Sequence, residues 1–529
     1  MGNKKLSAIK ADALVLGCAQ TDDGPRILSD GIEPVDEKMA AVVAELGSQL
    51  GVSGAPDDVH KFAAPSGYQA KMVVLTGLGK ADADGRFDPE VLRRAAGAAI
   101  RELGGSKSAA LALPTDDDAA LSAVAEGALL GAYAYNDYRS GEGAKAPVAD
   151  IEVITPRQRS SRAKEALARA DILANAVART RDLTDAPANE LNPLTFAAQA
   201  VAAVKGLPHV KATVLDEKAL KSGGYVGLVA VGQGSATPPR LVTLDYKPPH
   251  AVGTVALVGK GITFDAGGIS IKPSAGMQAM IMDMAGAAAV LETVVAAAQL
   301  GLPVRVLGYL CLAENMPGSN ASRPGDIIKY RNGKTVEIIN TDAEGRLVMA
   351  DGIIDAVKAK ADVIIDIATL TGAQILSLGH RTSGVMGAPD AMRDAVAYSA
   401  KQCGELFWPM PLPEELKAEL KASTAADLAN VNADKAAGML FAAAFLREFV
   451  DGVPWAHLDI AGPAYNTKGP WGYTAKGGTG VGVRTLVTFL ENFAAGGGTY
   501  EWATRQVMTP PSAVDDGESD AGKGSKTAK

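Results

Sequence analysis

At 529 residues the chain exceeds what one hydrophobic core usually serves, so two domains are expected. Its content of 47% apolar and 21% charged residues is that of a globular protein, and a net charge of −8 argues against nucleic acid as a main partner. Residues 1–150 alone carry 15 basic against 22 acidic side chains, which strengthens that exclusion.

In chain order, Ala13 to Gly17 and Met72 to Gly77 read as buried strands ending in glycine, and Glu90 to Leu103 and Ala119 to Tyr135 as helices. Ile151 to Ile154 reads as the last strand of a first α/β domain over 1–158 with a largely parallel sheet. Residues 159–184, rich in Ala, Arg and Leu at helical spacing, predict a connecting helix, and the Pro- and Asn-dense run Asp185 to Pro193 marks the boundary. Over 185–495 the pattern alternates again. Thr254 to Val258, Val304 to Leu310, Val336 to Ile339 and Val363 to Ala368 read as strands, and Met277 to Leu300 and Leu347 to Lys358 as helices. The expected fold class is α/β: a smaller N-terminal α/β domain and a larger C-terminal catalytic α/β domain with a mixed sheet flanked by helices. From Gly496 the composition turns to Gly, Ser, Asp, Lys and Pro, so 496–529 is expected to be a disordered tail in which Trp502 docks at most locally.

Cys18, Cys311 and Cys403 are far apart and odd in number, which suits a reducing, cytoplasmic setting. The histidines, His60, His209, His250, His380 and His457, are scattered and read as surface or satisfied core residues. Lys10 and Asp12 interrupt any apolar opening, so no secretory leader is expected. The longest apolar stretch, Ala285 to Leu312, carries Glu292 and Arg305 and reads as a helix followed by a strand, not a membrane span. No phosphate-binding Gly-x-x-x-x-Gly-Lys-Ser/Thr match is present, which leaves nucleotide chemistry unsupported.

Two clusters carry the chemistry. Asn340-Thr341-Asp342-Ala343-Glu344-Gly345-Arg346-Leu347 places two carboxylates and a guanidinium on a short turn, and Lys260 to Lys272 adds Asp265 beside Gly267-Gly268, followed by Asp283. Four acids with no histidine or cysteine suit hard or borderline divalent cations, and would repel one another without them. Asp342 and Glu344 meet one locus only on an irregular backbone, which Gly345 makes cheap. Taken alone, that turn serves equally as a solvated acidic helix cap. Lys260 ends an apolar strand, where a lysine paired with an aspartate is the better reading of spacing alone; beside cations its amine would become a nitrogen ligand. Asp283 falls within an apolar helix among methionines and needs a partner or a metal there. Lys272 and Arg346 are placed to stabilise an oxyanion, or else to complete ion pairs.

These residues resemble the leucyl (cytosol) aminopeptidase family of dinuclear metallopeptidases. Its signature Asn-Thr-Asp-Ala-Glu-Gly-Arg-Leu is matched in full at 340–347, and Lys260 to Lys272 also fits, with Ala266 where Ser or Thr is common. Gly232 to Ser235, Asp459 to Gly462 and Gly478 to Arg484 extend the likeness, which is strong over roughly 180–490 and weak before 150. The resemblance implies a macro-like first domain and two divalent metal ions per subunit, Mn²⁺ or Zn²⁺, with Mg²⁺ and Co²⁺ as lesser options. Asp265 and Glu344 would bridge the ions, Asp342 would complete one position, and Lys260 with Asp283 the other. A bridging water acidified by the cations would be the nucleophile. The substrate's free amino group would bind beside Lys260 and Asp283, so that only an N-terminal residue is released. Lys272 would polarise the scissile carbonyl, and Arg346 would hold a bicarbonate-like anion as general base. Met280, Thr369, Leu370 and Gly372 match positions lining the side-chain pocket and substrate path. Leu or other apolar residues would be preferred, though one methylene shifts preference by only ~1–3 kcal/mol. Family members are hexamers, so a homohexamer acting on short peptides with a free N-terminus is implied. The rivals are a DNA-binding or regulatory protein on a peptidase scaffold, and a metal phosphoesterase, whose common histidine ligands are missing.

Overall fold

The computed structural model describes residues 5–28, 37–141, 144–432 and 436–501. Of the expected tail over 496–529, residues 496–501 are described, and Trp502 with the rest lies outside the described residues.

The first domain runs β1 (Ala13–Thr21), β2 (Gly24–Leu28), α1 (Glu37–Leu50), β3 (Val59–Ala63), β4 (Met72–Gly79), α2 (Pro89–Glu102), β5 (Ser108–Ala112), α3 (Asp118–Gly131) and β6 (Asp150–Val153). Its sheet has the order β3-β4-β1-β5-β6, with β2 added antiparallel to β1. The strands β4, β1, β5 and β6 are parallel. α2 and α3 begin where Asp88 and Asp117 accept backbone N–H groups. α3 ends at Gly131, short of the expected Tyr135, because Tyr133 is committed to tertiary contacts. The Arg181 guanidinium lies 3.6 Å from its ring centroid and its hydroxyl donates to Asp182.

α4 (Ser161–Asp185), capped by Ser160, leads into the second domain. There follow α5 (Pro193–Ala203), β7 (Val210–Leu215), α6 (Glu217–Gly223), α7 (Val226–Gly232), β8 (Arg240–Tyr246), β9 (Thr254–Asp265), α8 (Ala285–Leu300) and β10 (Arg305–Asn315). The chain continues through β11 (Asp326–Lys329), β12 (Thr335–Ile338), α9 (Gly345–Lys358), β13 (Val363–Ala368), α10 (Gly372–Leu378), β14 (Ser383–Ala388) and α11 (Asp390–Cys403). It closes with β15 (Phe407–Pro409), α12 (Leu416–Leu420), β16 (Leu428–Ala429), α13 (Gly438–Arg447), β17 (Trp455–Asp459) and α14 (Val483–Ala495).

The main sheet has the order β15-β14-β17-β13-β9-β10-β8-β7. Its four central strands, β17, β13, β9 and β10, are parallel, with antiparallel neighbours β14 and β8. Helices bury both faces, which is why β9 reads as an almost unbroken apolar run. Leu257, Ile365 and Ile367 pack with Phe196, Val290, Met392 and Phe489 on one side, and Ala256, Val258 and Ile364 with Leu228, Met349 and Phe441 on the other.

Two expectations are corrected here. Lys260 does not end its strand: β9 continues to Asp265 because β10 pairs with it as far as Asn315. Nor is Met277 to Leu300 one helix. A 3₁₀ turn covers Met277–Met282 and α8 starts only at Ala285, because the Asp283 carbonyl accepts Ile262 N–H from β9 at 3.2 Å. Asp283 therefore sits in the break, not within a helix. Among the described residues Met277–Leu300 is the one segment long and apolar enough to cross a membrane, but 83% of its apolar 18-residue stretch is buried inside the protein. It is the core of the second domain.

Buried charges join the two domains. Arg484 of α14 reaches Glu126 of α3 at 3.1 Å and donates to the Tyr473 hydroxyl at 2.6 Å, and that hydroxyl donates to Glu90 of α2 at 2.8 Å. Arg93 lies 3.1 Å from the same Glu126, and Arg169 of α4 grips Glu491 with two bonds of 2.7 Å. Burial pushes the Glu126 carboxyl up, but Arg93, Arg484 and Arg169 together hold it below its ordinary value.

Candidate active site

The acids gather where the parallel strands end, the position open α/β sheets give their ligands. Asp265 closes β9 and Asn315 closes β10 beside it. Asn315 Nδ2 donates to Asp265 Oδ1 at 2.8 Å and to the Thr341 carbonyl at 3.0 Å, so one amide ties both sequence clusters together. The two loops are then zipped: Thr341 Oγ1 donates to Gly267 O at 2.7 Å and accepts Ser270 N–H at 2.8 Å. Gly267 and Gly268 have φ of 88° and 65°, and a Cβ on Gly267 would stand 2.8 Å from Asp342 Oδ1. Asn430 secures the far side, accepting Ile339 N–H at 2.8 Å and donating to Asn340 O at 2.7 Å.

Six charged side chains meet in this frame. Lys260 Nζ lies 2.8 Å from Asp283 Oδ2, 2.8 Å from Glu344 Oε1 and 3.0 Å from the Thr369 carbonyl. Lys272 Nζ lies 2.9 Å from Asp265 Oδ2 and 2.6 Å from Asp342 Oδ1. Asp265, Asp342 and Glu344 offer oxygens that all fall within 4.8 Å of one another. Glu344 Oε2 is buried with no hydrogen-bond partner, and Asp283 Oδ2 and Asp342 Oδ1 meet their lysines only as ion pairs, without hydrogen-bond geometry. An orphaned buried acceptor costs about 1–3 kcal/mol, and more when charged, so this oxygen set fits a divalent cation.

The electrostatics follow from crowding. Burial pushes the Glu344 and Asp342 carboxyls up, reinforced in both by Asp265. Asp283 rises for the same first reason, against the pull of Lys260. Burial works to lower both lysines, yet the surrounding carboxylates outweigh it and hold the ammonium forms above their ordinary range. The Arg346 guanidinium is pushed down to about 10 by burial, with Glu344 and Asp459 opposing. Gly345 has a different use from the one expected. It opens α9 without a positive φ, and a Cβ there would lie 2.6 Å from Lys260 Cε. Space for the lysine, not backbone freedom, requires glycine at this position.

Of the residues singled out in the sequence, Lys260, Asp265, Lys272, Asp283, Asp342 and Glu344 form this single cluster. Thr369 joins it, its hydroxyl donating to Asp283 Oδ1 at 2.6 Å. Arg346 stands beside it, with Nη1 donating to Asn430 O at 2.7 Å. Met280 touches it through its carbonyl, which accepts Asp283 N–H at 3.4 Å. Leu370 N–H goes instead to Asp459 at 3.2 Å, and Gly372 is an exposed first residue of α10. Asn315 and Asn430 lie outside the sequence motifs, and Asp459 has no role in them beyond the likeness of Asp459 to Gly462. Asp459 repeats the signal of Asp265, an acid closing an apolar strand before a glycine. Asn430, in a distant loop, carries no signal of its own.

This construction matches a known family over nearly the whole chain. The catalytic-domain model of the cytosol aminopeptidase family covers residues 178–487 and its N-terminal-domain model residues 15–142. The chain belongs to the cytosol aminopeptidase family. Family membership makes it a metal-dependent aminopeptidase that hydrolyses peptides at their N-terminus. A protein of Streptomyces coelicolor named "Probable cytosol aminopeptidase" is 51% identical over 92% of this chain and 97% of its own length. Its namesake from Streptomyces avermitilis is 50% identical over 93% and 97%. Among solved structures, "Bottromycin maturation enzyme BotP in complex with Mn" superposes with a TM-score of 0.80 at 37% identity, covering 92% of this chain and all of its own.

Proposed function

We propose that this aminopeptidase releases leucine and other apolar N-terminal residues from short peptides at two divalent cations held by Lys260, Asp265, Asp283, Asp342 and Glu344. The observation that carries the reading is the ion-paired cluster itself, with Lys260 joining Asp283 to Glu344 and Lys272 joining Asp265 to Asp342. Bound there, the cations supply an acidified water as nucleophile and polarise the substrate.

The chain's own residues do the rest. Asp265 and Glu344 would serve both cations, Asp342 one, and Lys260 with Asp283 the other. For Lys260 to act as an amine ligand it gives up its proton, so binding of the cations releases protons to solvent. Lys272 Nζ is assigned to the scissile carbonyl oxygen, where an ammonium steadies the developing oxyanion. Arg346 is assigned to a bicarbonate-like anion that takes a proton as general base. Met280, Thr369, Leu370 and Gly372 are assigned to the substrate path, in support of which Met280 and Leu370 are half-buried apolar groups beside Asp283 and Thr369.

Mn²⁺ and Zn²⁺ are the favoured cations, over Mg²⁺ and Co²⁺. We assign the protein to the cytoplasm as a homohexamer engaged in peptide turnover. Metal analysis combined with a panel of aminoacyl anilides tests the reading. Two ions per chain and a preference for Leu and Met over Asp and Lys are expected. Failure to bind more than one ion, or faster hydrolysis of phosphate esters, would overturn it.

A further inference from the structure

β10 ends at Asn315, the register partner of Asp265 at the end of β9. Asn315 is 4% exposed, and its carbonyl accepts Ala266 N–H at 3.0 Å, so the main chain fixes the amide beside the carboxylate. Both groups that Nδ2 meets, Asp265 Oδ1 at 2.8 Å and the Thr341 carbonyl at 3.0 Å, are acceptors with no hydrogen to give. An amide NH₂ satisfies the two together, one hydrogen to each. An ammonium there would add a competitor to any cation. The neutral amide adds none.

This pairing decides what Asp265 offers. Its Oδ1 accepts Gly267 N–H at 2.9 Å as well as the amide, which uses both lone pairs of that oxygen. Oδ2, 2.9 Å from Lys272 Nζ, is the oxygen left for cations. The second bond of the amide holds the Thr341 carbonyl, and with it the turn that carries Asp342 and Glu344. Asp265, Asp342 and Glu344 bring oxygens within 4.8 Å of one another and repel as like charges. The amide opposes their separation whether or not cations are bound.

We propose that Asn315 is a positioning residue of the metal centre: its amide commits one oxygen of Asp265, presents the other to the cations, and keeps the Asp342–Glu344 turn in reach before they arrive. It touches neither substrate nor cation. The inference rests on assigning Asp265 to both cations, so loss of the amide is felt at both positions.

Asn315 also lines a cavity of about 10 Å³ with Gly268, Ser322 and Thr341, room for about one water. Water entering the space left by Asn315→Ala stands in for part of the amide, so Asn315→Leu, similar in shape and without donors, is the sharper variant. The test uses the full chain with Asn315→Leu, Asn315→Ala, Ser322→Ala and Asp265→Asn. Each is titrated with Mn²⁺ by calorimetry, unfolded thermally with and without Mn²⁺, and assayed on leucine anilide. Asn315→Leu is expected to weaken both Mn²⁺ affinities about tenfold or more, and the rise in Tm on adding Mn²⁺ shrinks to match. Raising Mn²⁺ restores most of its anilide activity, which loss of a catalytic group would not allow. Asn315→Ala shows the same defect in milder form and carries the test if the Leu variant does not fold. Ser322→Ala alters the same cavity, but its hydroxyl donates to Ala230 O at 2.6 Å and not to the acids, so it binds Mn²⁺ as wild type does.

Wild-type affinity at both positions in the Leu and Ala variants, loss at one position only, an equal loss in Ser322→Ala, or activity that Mn²⁺ does not restore would overturn the inference. Normal two-ion binding by Asp265→Asn would sink the metal assignment itself. A defective Asp265→Asn beside normal Asn315 variants would sink the positioning role alone.

Discussion

Glu344, Lys260 and Gly345 share a few ångströms, and each substitution among them has a separate signature. Glu344→Ala removes the carboxylate 2.8 Å from Lys260 and an orphaned buried oxygen with it. Peptidase activity should vanish while circular dichroism and Tm stay near wild type; normal turnover in a folded variant would count decisively against the site. Lys272→Ala should lower kcat more than it weakens metal retention, because its ammonium is assigned to the carbonyl oxygen and not to a cation. Equal losses in both measurements would make its role structural. Gly345→Ala sets a methyl 2.6 Å from Lys260 Cε and 2.9 Å from Nζ. The end of a flexible lysine can swing away, so stability should change by less than about 1 kcal/mol while Mn²⁺ affinity drops about tenfold. Calorimetry and thermal unfolding on one sample separate these outcomes.

α8 forms the bed beneath the site and carries an unusual group. Glu292 is 2% exposed, its Oε2 has no hydrogen-bond partner, and burial pushes its carboxyl from 4.5 up to about 7, with Arg179 opposing. The unfolded chain loses this proton near 4.5 and the folded chain near 7, so stability falls as pH rises through that window and stays reduced above it. The full penalty is about 3 kcal/mol. Glu292→Gln should therefore raise Tm at pH 8 and leave it unchanged at pH 4, and equal shifts at both would refute the cause. Legibility in the sequence divides at the same element. The 340–347 turn was readable because its chemistry lies in consecutive residues, and Asp265 because glycines follow it. The break at Asp283 was not, since its methionine-rich flanks keep helical spacing while the diverted carbonyl answers to Ile262 on another element. Lys260 lies inside its strand, flanked by Gly259 and Gly261. Those glycines serve packing, because a Cβ on either would come within 2.5 Å of Ala287 Cα or Leu312 Cδ2.

At the level of the whole molecule, the homohexamer assigned here predicts a particle of six 54.2 kDa chains in sedimentation or light scattering. Leu376, 89% exposed on α10, is an apolar group such an assembly would cover. A monomer that turns over peptides at full rate would remove the assembly from the account. The charges that cross from α2 and α3 to α14 set a limit of another kind. Cut loose at 178, the catalytic half would keep Arg484 at the bottom of a fresh wound, with Glu126 at 3.1 Å lost and Glu405 at 3.8 Å left to it. Stripping the nearer partner from such a sealed charge costs up to about 3–5 kcal/mol, a large part of what holds any domain folded. Minimal fragments for crystallography or engineering should therefore precipitate where the intact polypeptide stays in solution, and the opening 150 residues are cargo the enzyme has no means to shed.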